Sequence, residues 1–189
     1  MDTQTGNPLI IEVPSELFAV AEGSSFEGAY NPGEFDFGPD HYRVDRPFKW
    51  TAFISNVGGA LLIEGQVEGR VSTDCPRCLE PASFEIQSDI EGYIVIPGQS
   101  EAPEDMDEDE FDILDESNTI NMETYILAAV KIDLPLVPLC DEDCKGLCSR
   151  CGANLNLGAC SCQAVQDDIV RTASGKPSQF AALKDFKFE

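Results

Sequence analysis

Hydrophobic and polar residues alternate most regularly over residues 61–73, where Leu61, Ile63, Gly65, Val67, Gly69 and Val71 share one parity. Residues 84–96 repeat the pattern with Phe84, Ile86, Ser88, Ile90, Gly92, Ile94 and Ile96. Successive side chains of a strand point to opposite faces, so each run predicts an antiparallel strand with one buried face. Gly65 and Gly69 fall on the buried parity and predict a bend, a bulge or close coverage of the sheet. Residues 48–56 have β-rich composition and end in the turn Val57-Gly58-Gly59, while residues 9–13 (LIIEV) predict a short strand ahead of a turn or helix start at Pro14-Ser15-Glu16. Between residues 23 and 47, Gly28, Pro32, Gly33, Gly38, Pro39 and Pro47 predict mostly loop with short strands.

The period changes after residue 118. Met122, Ile126, Leu127 and Val130 lie on one helical stripe that Asn118 or Asn121 can cap and that Pro135 and Pro138 end. Core packing on the sheet is the simplest use of that stripe. Phe180, Leu183 and Phe186 recur at three-residue spacing and predict a short amphipathic helix, which docks on its own core more readily than on a partner. The expected fold is α+β: an antiparallel β-sheet packed by one main helix, with a C-terminal zinc-knuckle lobe. Its expected parts are a β region at 1–98, an acidic flexible segment at 99–118, the core helix and Pro-rich exit at 119–139, a Cys-rich lobe at 140–162 and a tail at 163–189.

Eight cysteines change the picture. Cys75 and Cys78 form a CxxC pair between the two alternating runs, and Cys140, Cys144, Cys148, Cys151, Cys160 and Cys162 crowd into residues 140–162. Pairs two to four residues apart let one turn supply two ligands to a tetrahedral ion, so eight thiols suffice for two four-cysteine sites. Gly152 follows Cys151 and can take positive φ, letting the backbone fold back over a metal. No glycine follows Cys78, although Pro76 fixes one φ of that turn. Cys140 and Cys144 can meet on one turn of helix. Short loops close at least entropic cost, which favours a local site of Cys148, Cys151, Cys160 and Cys162 and a long-range site of Cys75, Cys78, Cys140 and Cys144. Disulfides would need an oxidising compartment, and the first residues lack the basic start and apolar run of a signal peptide, so a cytoplasmic chain with reduced thiols is expected. A thioredoxin-like pair lacks its βαβ context. Iron–sulfur ligation shares the thiolate chemistry and stays open.

Charge narrows the partners. The chain carries 12 Lys and Arg against 35 Asp and Glu, a formal net charge of -23. Filling two four-thiolate sites with divalent zinc would take it to about -27. Such a surface repels a phosphate backbone and attracts basic proteins by long-range steering. Ten of the sixteen residues 101–116 are acidic and none is basic. Within this run Glu104, Asp105, Asp107, Glu108, Asp109, Glu110 and Phe111 are the candidate partner-binding residues, because acid interleaved with apolar side chains can fold onto a basic surface. Lys145, Arg150, Lys184 and Lys187 are the candidates for RNA contact. There is no apolar run of membrane-spanning length. His41, the one histidine, is flanked by Asp40 and Tyr42 and reads as an exposed or satisfied residue rather than a general base. No Gly-rich phosphate loop or nucleophile elbow appears, so catalysis is not expected.

The run from Pro135 through Cys140-Asp141-Glu142-Asp143-Cys144-Lys145-Gly146-Leu147-Cys148 to Asn156 resembles the YceD family, and Cys75-Pro76-Arg77-Cys78-Leu79-Glu80-Pro81 resembles that family's other signature. Phe180-Ala181-Ala182-Leu183-Lys184 is similar to its closing segment, although Gly175-Lys176-Pro177 stands where Asp-Pro-Arg is expected. The resemblance implies a non-enzymatic cytoplasmic factor in ribosome biogenesis, linked to accumulation of 23S ribosomal RNA. Its partners would be basic ribosomal proteins or the pre-50S particle, with ribosomal RNA as the rival. A small RNA-binding zinc module and a redox or iron–sulfur protein are the alternative functions.

Overall fold

The computed structural model describes residues 9–100, 106–107 and 110–162. The chain divides between Gly146 and Leu147 into two compact units. The first holds the sheet and the helix. Its strands are β1 (Ile10–Glu12), β2 (Gly23–Tyr30), β3 (Glu34–Phe37), β4 (Asp40–Asn56), β5 (Ala60–Asp74), β6 (Pro81–Val95), β7 (Asp112–Ile113) and β8 (Thr119–Asn121), followed by α1 (Met122–Asp133). A 3-10 turn at Ser15–Phe18 follows β1.

Strands β2-β4-β5-β6-β7 form one sheet in that order, with β3 also pairing β4, and β1 pairs β8 in a separate two-stranded sheet. All pairings are antiparallel except β6 with β7. The architecture is α+β, mostly antiparallel, with one helix among the described residues.

The long pair β5–β6 follows its alternation closely. Leu61, Ile63, Val67, Val71, Ile86, Ile90 and Ile94 are buried, and they meet Ile126, Ala129 and Val130 of α1 in one core. Register explains the glycines: Gly65 lies opposite Ile90, Gly69 opposite Ile86 and Gly92 opposite Ile63. Each leaves room for a neighbour. A Cβ on Gly69 would come within 2.3 Å of the Phe48 ring, and one on Gly92 within 2.6 Å of the Tyr125 ring. Phe48 and Tyr125 thus cover the sheet where side chains are missing.

Residues 23–47 differ from the loop-rich expectation. The prolines and glycines there punctuate hairpins instead of dissolving strands: Gly33 (φ 77) and Gly38 (φ 59) sit in the turns before β3 and β4. Pro47 lies inside β4 where the register with β5 shifts between Arg46 and Lys49, a place where a missing N–H is tolerated. The helix starts and stops as its caps dictate. Asn121 Oδ1 accepts from Glu123 N at 3.1 Å, and Leu134 closes the helix just before Pro135. Asp133 Oδ2 accepts from Gln87 N at 3.0 Å and fastens the helix end to β6.

The acidic run is partly absorbed into the fold. Asp112 and Ile113 form β7, Leu114 is buried in the core, and Asp115 Oδ1 accepts from Ser117 N and Oγ at 3.1 and 2.6 Å. These bonds hold the Asp115 carboxyl below its usual range.

Candidate metal centres

The two CxxC turns share one backbone plan. At the β5–β6 tip Cys75 N donates to Glu80 O at 2.9 Å and Leu79 N to Cys75 O at 2.8 Å. In the second unit Cys148 N donates to Ala153 O at 2.8 Å and Gly152 N to Cys148 O at 2.9 Å. The residue after the second cysteine is left-handed in both, Leu79 at φ 62 and Gly152 at φ 71. Leu79 therefore fills the slot that glycine fills in the other turn, so the missing glycine does not prevent the knuckle.

The first quartet joins distant parts of the chain. Cys75 and Cys78 sit at the hairpin tip, while Cys140 and Cys144 follow the prolines that end α1. Cys140 and Cys144 are presented by a turn rather than a turn of helix: Cys144 N donates to Asp141 O at 3.0 Å and Asp143 N to Asp141 Oδ1 at 2.8 Å. Cys75 Sγ lies 3.8 Å from Cys144 Sγ, Cys78 Sγ lies 3.4 Å from Cys140 Sγ, and all four sulfurs fall within 4.8 Å of one another. Cys75, Cys78 and Cys144 are buried and Cys140 is exposed. Arg77, between the first two cysteines, braces the quartet by donating from Nη1 to Cys144 O at 3.0 Å. Gly146 (φ 72) closes against the same residue, where a Cβ would stand 2.9 Å from Arg77 O.

The second quartet is local. Cys148, Cys151, Cys160 and Cys162 also keep their sulfurs within 4.8 Å, with Cys148 and Cys160 at 3.4 Å. It is more open, with Cys151 exposed and the other three half-buried. A bridge between Leu147 and Asn154 frames its CxxC turn.

Both quartets fit a tetrahedral thiolate centre. A metal–sulfur bond of about 2.3 Å implies sulfur separations of about 3.8 Å. The observed 3.4 and 3.8 Å match that spacing and far exceed a disulfide bond of about 2.05 Å. The titration pattern has the same origin. Burial pushes the Cys75 thiol up, but N–H groups of Cys140, Arg77 and Cys78 aimed at its sulfur outweigh that and bring it down to about 6. N–H groups of Arg150 and Cys151 likewise bring Cys148 down to about 6. Cys140, donating toward Cys78 and Cys144, is pushed up to about 12, as is Cys162 beside Cys151. Four thiolates this close repel one another, and a divalent cation is what lets all four ionise together.

Other predicted site residues stand apart. Asp107 and Glu110 are exposed and Phe111 is half-buried, with Asp107 N donating to Glu110 Oε2 at 2.8 Å. Glu104, Asp105, Glu108 and Asp109 lie outside the described residues, as do Lys184 and Lys187 and the helix expected around Phe180. Lys145 and Arg150 are exposed. His41 is exposed and held between Asp36 (2.7 Å) and Glu34 (3.1 Å), which raise its pKa above the usual value. The β4–β5 register places Arg46 beside Arg70, and both reach Glu85, at 2.7 and 3.6 Å. Only the strand register could have revealed that grouping.

A family model described as large ribosomal RNA subunit accumulation protein YceD matches residues 63–187, more than half of the chain. The chain belongs to the YceD family. Both YceD quartets fall within the matched span. An uncharacterised protein of Mycobacterium tuberculosis is 35% identical over 103 residues, covering 54% of this chain and 48% of that protein. Proteins named large ribosomal RNA subunit accumulation protein YCED homolog 1, chloroplastic, are similar in Arabidopsis thaliana (34% over 61 residues, 32% of this chain and 19% of that protein) and in Zea mays (26% over 133 residues, 56% and 45%). The YceD chain spans about half the length, or less, of the curated relatives it matches. No solved structure matches it. No helix among the described residues is long and apolar enough to cross a membrane.

Proposed function

We propose that this chain is a non-enzymatic, zinc-stabilised factor of ribosome biogenesis that supports accumulation of 23S ribosomal RNA by binding basic ribosomal proteins or pre-50S particles in the cytoplasm. The observation that carries the reading is the pairing of two closed four-thiolate quartets with a net charge of -23. An all-thiolate tetrahedron leaves no open position for a substrate or an activated water, so the two zinc ions serve architecture. The work then falls to the acidic surface, including the run at Glu104, Asp105, Asp107, Glu108, Asp109, Glu110 and Phe111, which steers basic partners inward and nucleic acid away.

The names of the chloroplast relatives support the ribosomal setting. Direct RNA contact through Lys145, Arg150, Lys184 and Lys187 is the rival. Titrating the full chain with 23S RNA fragments and with purified basic ribosomal proteins, at two salt concentrations, separates them. Salt-sensitive binding of the proteins is expected. Tight RNA binding that persists when the acidic run is neutralised would overturn the proposal.

A further inference from the structure

The sheet has one face filled by the core and another that nothing among the described residues covers. Strand register writes the second face in rows. Ser25, Phe53, Glu64 and Glu91 form one row, Glu27, Thr51, Gln66 and Asp89 the next, and Ala29, Lys49, Glu68 and Gln87 a third. These rows hold five carboxylates and one lysine. None of Glu27, Glu64, Glu68 and Glu91 forms an ion pair with a basic side chain among the described residues, whereas the arginines nearer the hairpin tip neutralise Asp74 and Glu85.

Three features set this face apart from an ordinary solvated surface. Glu64 stands directly across from Glu91, a like-charge pair that costs stability in the free protein. Phe53, beside Glu64 on a central strand, keeps 46% of its surface exposed. Two adjoining concavities of about 640 and 570 Å³ share Glu27 and Thr51, and Glu68 and Glu64 line one each. Carboxylates call for cations and an exposed ring for an apolar or guanidinium contact. A peptide rich in Arg and Lys supplies both. A second copy of this chain would bring the same negative charge.

We infer that the open face of β2, β4, β5 and β6 around Phe53 is the docking surface for an extended, Arg- and Lys-rich segment of a partner protein. The inference rests on the proposed function and gives it an address on the folded sheet, separate from the acidic run that follows β6. Relief of the Glu64–Glu91 repulsion adds to the attraction on binding, and the ring fixes where the segment lies.

The test is a fluorescence-anisotropy titration of the full, metal-loaded chain with a labelled 20-residue peptide of Arg, Lys and Gly. Neutralising the face (Glu27→Gln, Glu64→Gln, Glu91→Gln) should weaken binding about tenfold, and Phe53→Ser alone about threefold. Neutralising Glu104, Asp105, Glu108 and Asp109, which removes long-range steering charge, should weaken it by less than the face variant does. Melting of Glu64→Gln checks the fold: its Tm should equal or exceed that of the parent, because a repulsion is removed. Loss confined to the acidic-run variant, or loss that follows only the number of charges removed with Phe53→Ser silent, would overturn the docking surface and leave the basic-partner reading standing. Failure to bind the peptide together with tight binding of 23S RNA fragments would overturn both.

Discussion

Leu79→Gly is expected to stabilise the protein. Leu79 sits at φ 62 in the first knuckle with 66% of its surface exposed. The left-handed region costs a side chain with a Cβ about 1 kcal/mol, and an exposed leucine recovers little of that by burial. Glycine removes the strain, and its extra freedom in the unfolded chain offsets about 0.5 kcal/mol of that. The net gain is about 0.5 kcal/mol, or about 1–2 °C in Tm for a chain of this size. The mirror experiment is Gly152→Leu, at φ 71 with nothing within 4 Å of the added Cβ, so its cost is conformational alone. Thermal melts of metal-loaded protein report Leu79→Gly, and chelator competition reports weaker metal retention in Gly152→Leu. A Tm for Leu79→Gly below that of the parent would refute the shared-knuckle reasoning and mean that Leu79 makes contacts which outweigh its backbone strain.

Three further outcomes follow from the same geometry. Cys140→Ser should release the link that closes a 62-position separation, forfeiting about 4 kcal/mol if the metal acts as a cross-link, and hydrogen exchange should rise at the hairpin tip before the sheet centre. Gly65→Ala should cost more than about 2 kcal/mol, because its Cβ would lie 2.1 Å from the Thr51 carbonyl oxygen, which the strand holds in place; urea unfolding measures it. Burial and a hydrogen bond to Glu123 push Tyr30 up to about 12. A folded pKa above the ordinary value of about 10 means that stability is fully present below pH 10 and is lost as pH rises toward 12, so alkaline melting should steepen there and flatten in Tyr30→Phe.

Much of the first unit was legible because period-2 alternation is a direct readout of which face is buried. Gly65 and Gly69 announced close coverage, although the partners that supply it, Thr51 and Phe48, emerge only from strand register. Asn118 or Asn121 and the prolines Pro135 and Pro138 marked the helix ends for local reasons, a side-chain cap and a fixed φ, and the structure uses Asn121. Residues 23–47 were harder, since a proline or glycine in a two-residue turn reads like one in a long loop. The two quartets were legible from spacing and loop entropy, and the structure groups the same cysteines. Leu79 was not, because a left-handed leucine goes against local preference and is held by the Cys75–Glu80 turn around it. The acidic sheet face was hidden for a different reason: Glu27, Glu64 and Glu91 are far apart in sequence, and only antiparallel register makes them neighbours, whereas the run at 101–116 is contiguous in the chain.

The proposed architecture needs the quartets to be two separate metal centres, and metal content measures that directly. Mass-spectrometric metal analysis of the full chain, purified without oxygen, should give two zinc ions per chain, falling to one in Cys75→Ser and to one in Cys148→Ser. A coloured, iron-containing protein, a single ion per chain, or loss of both ions on either substitution would contradict it.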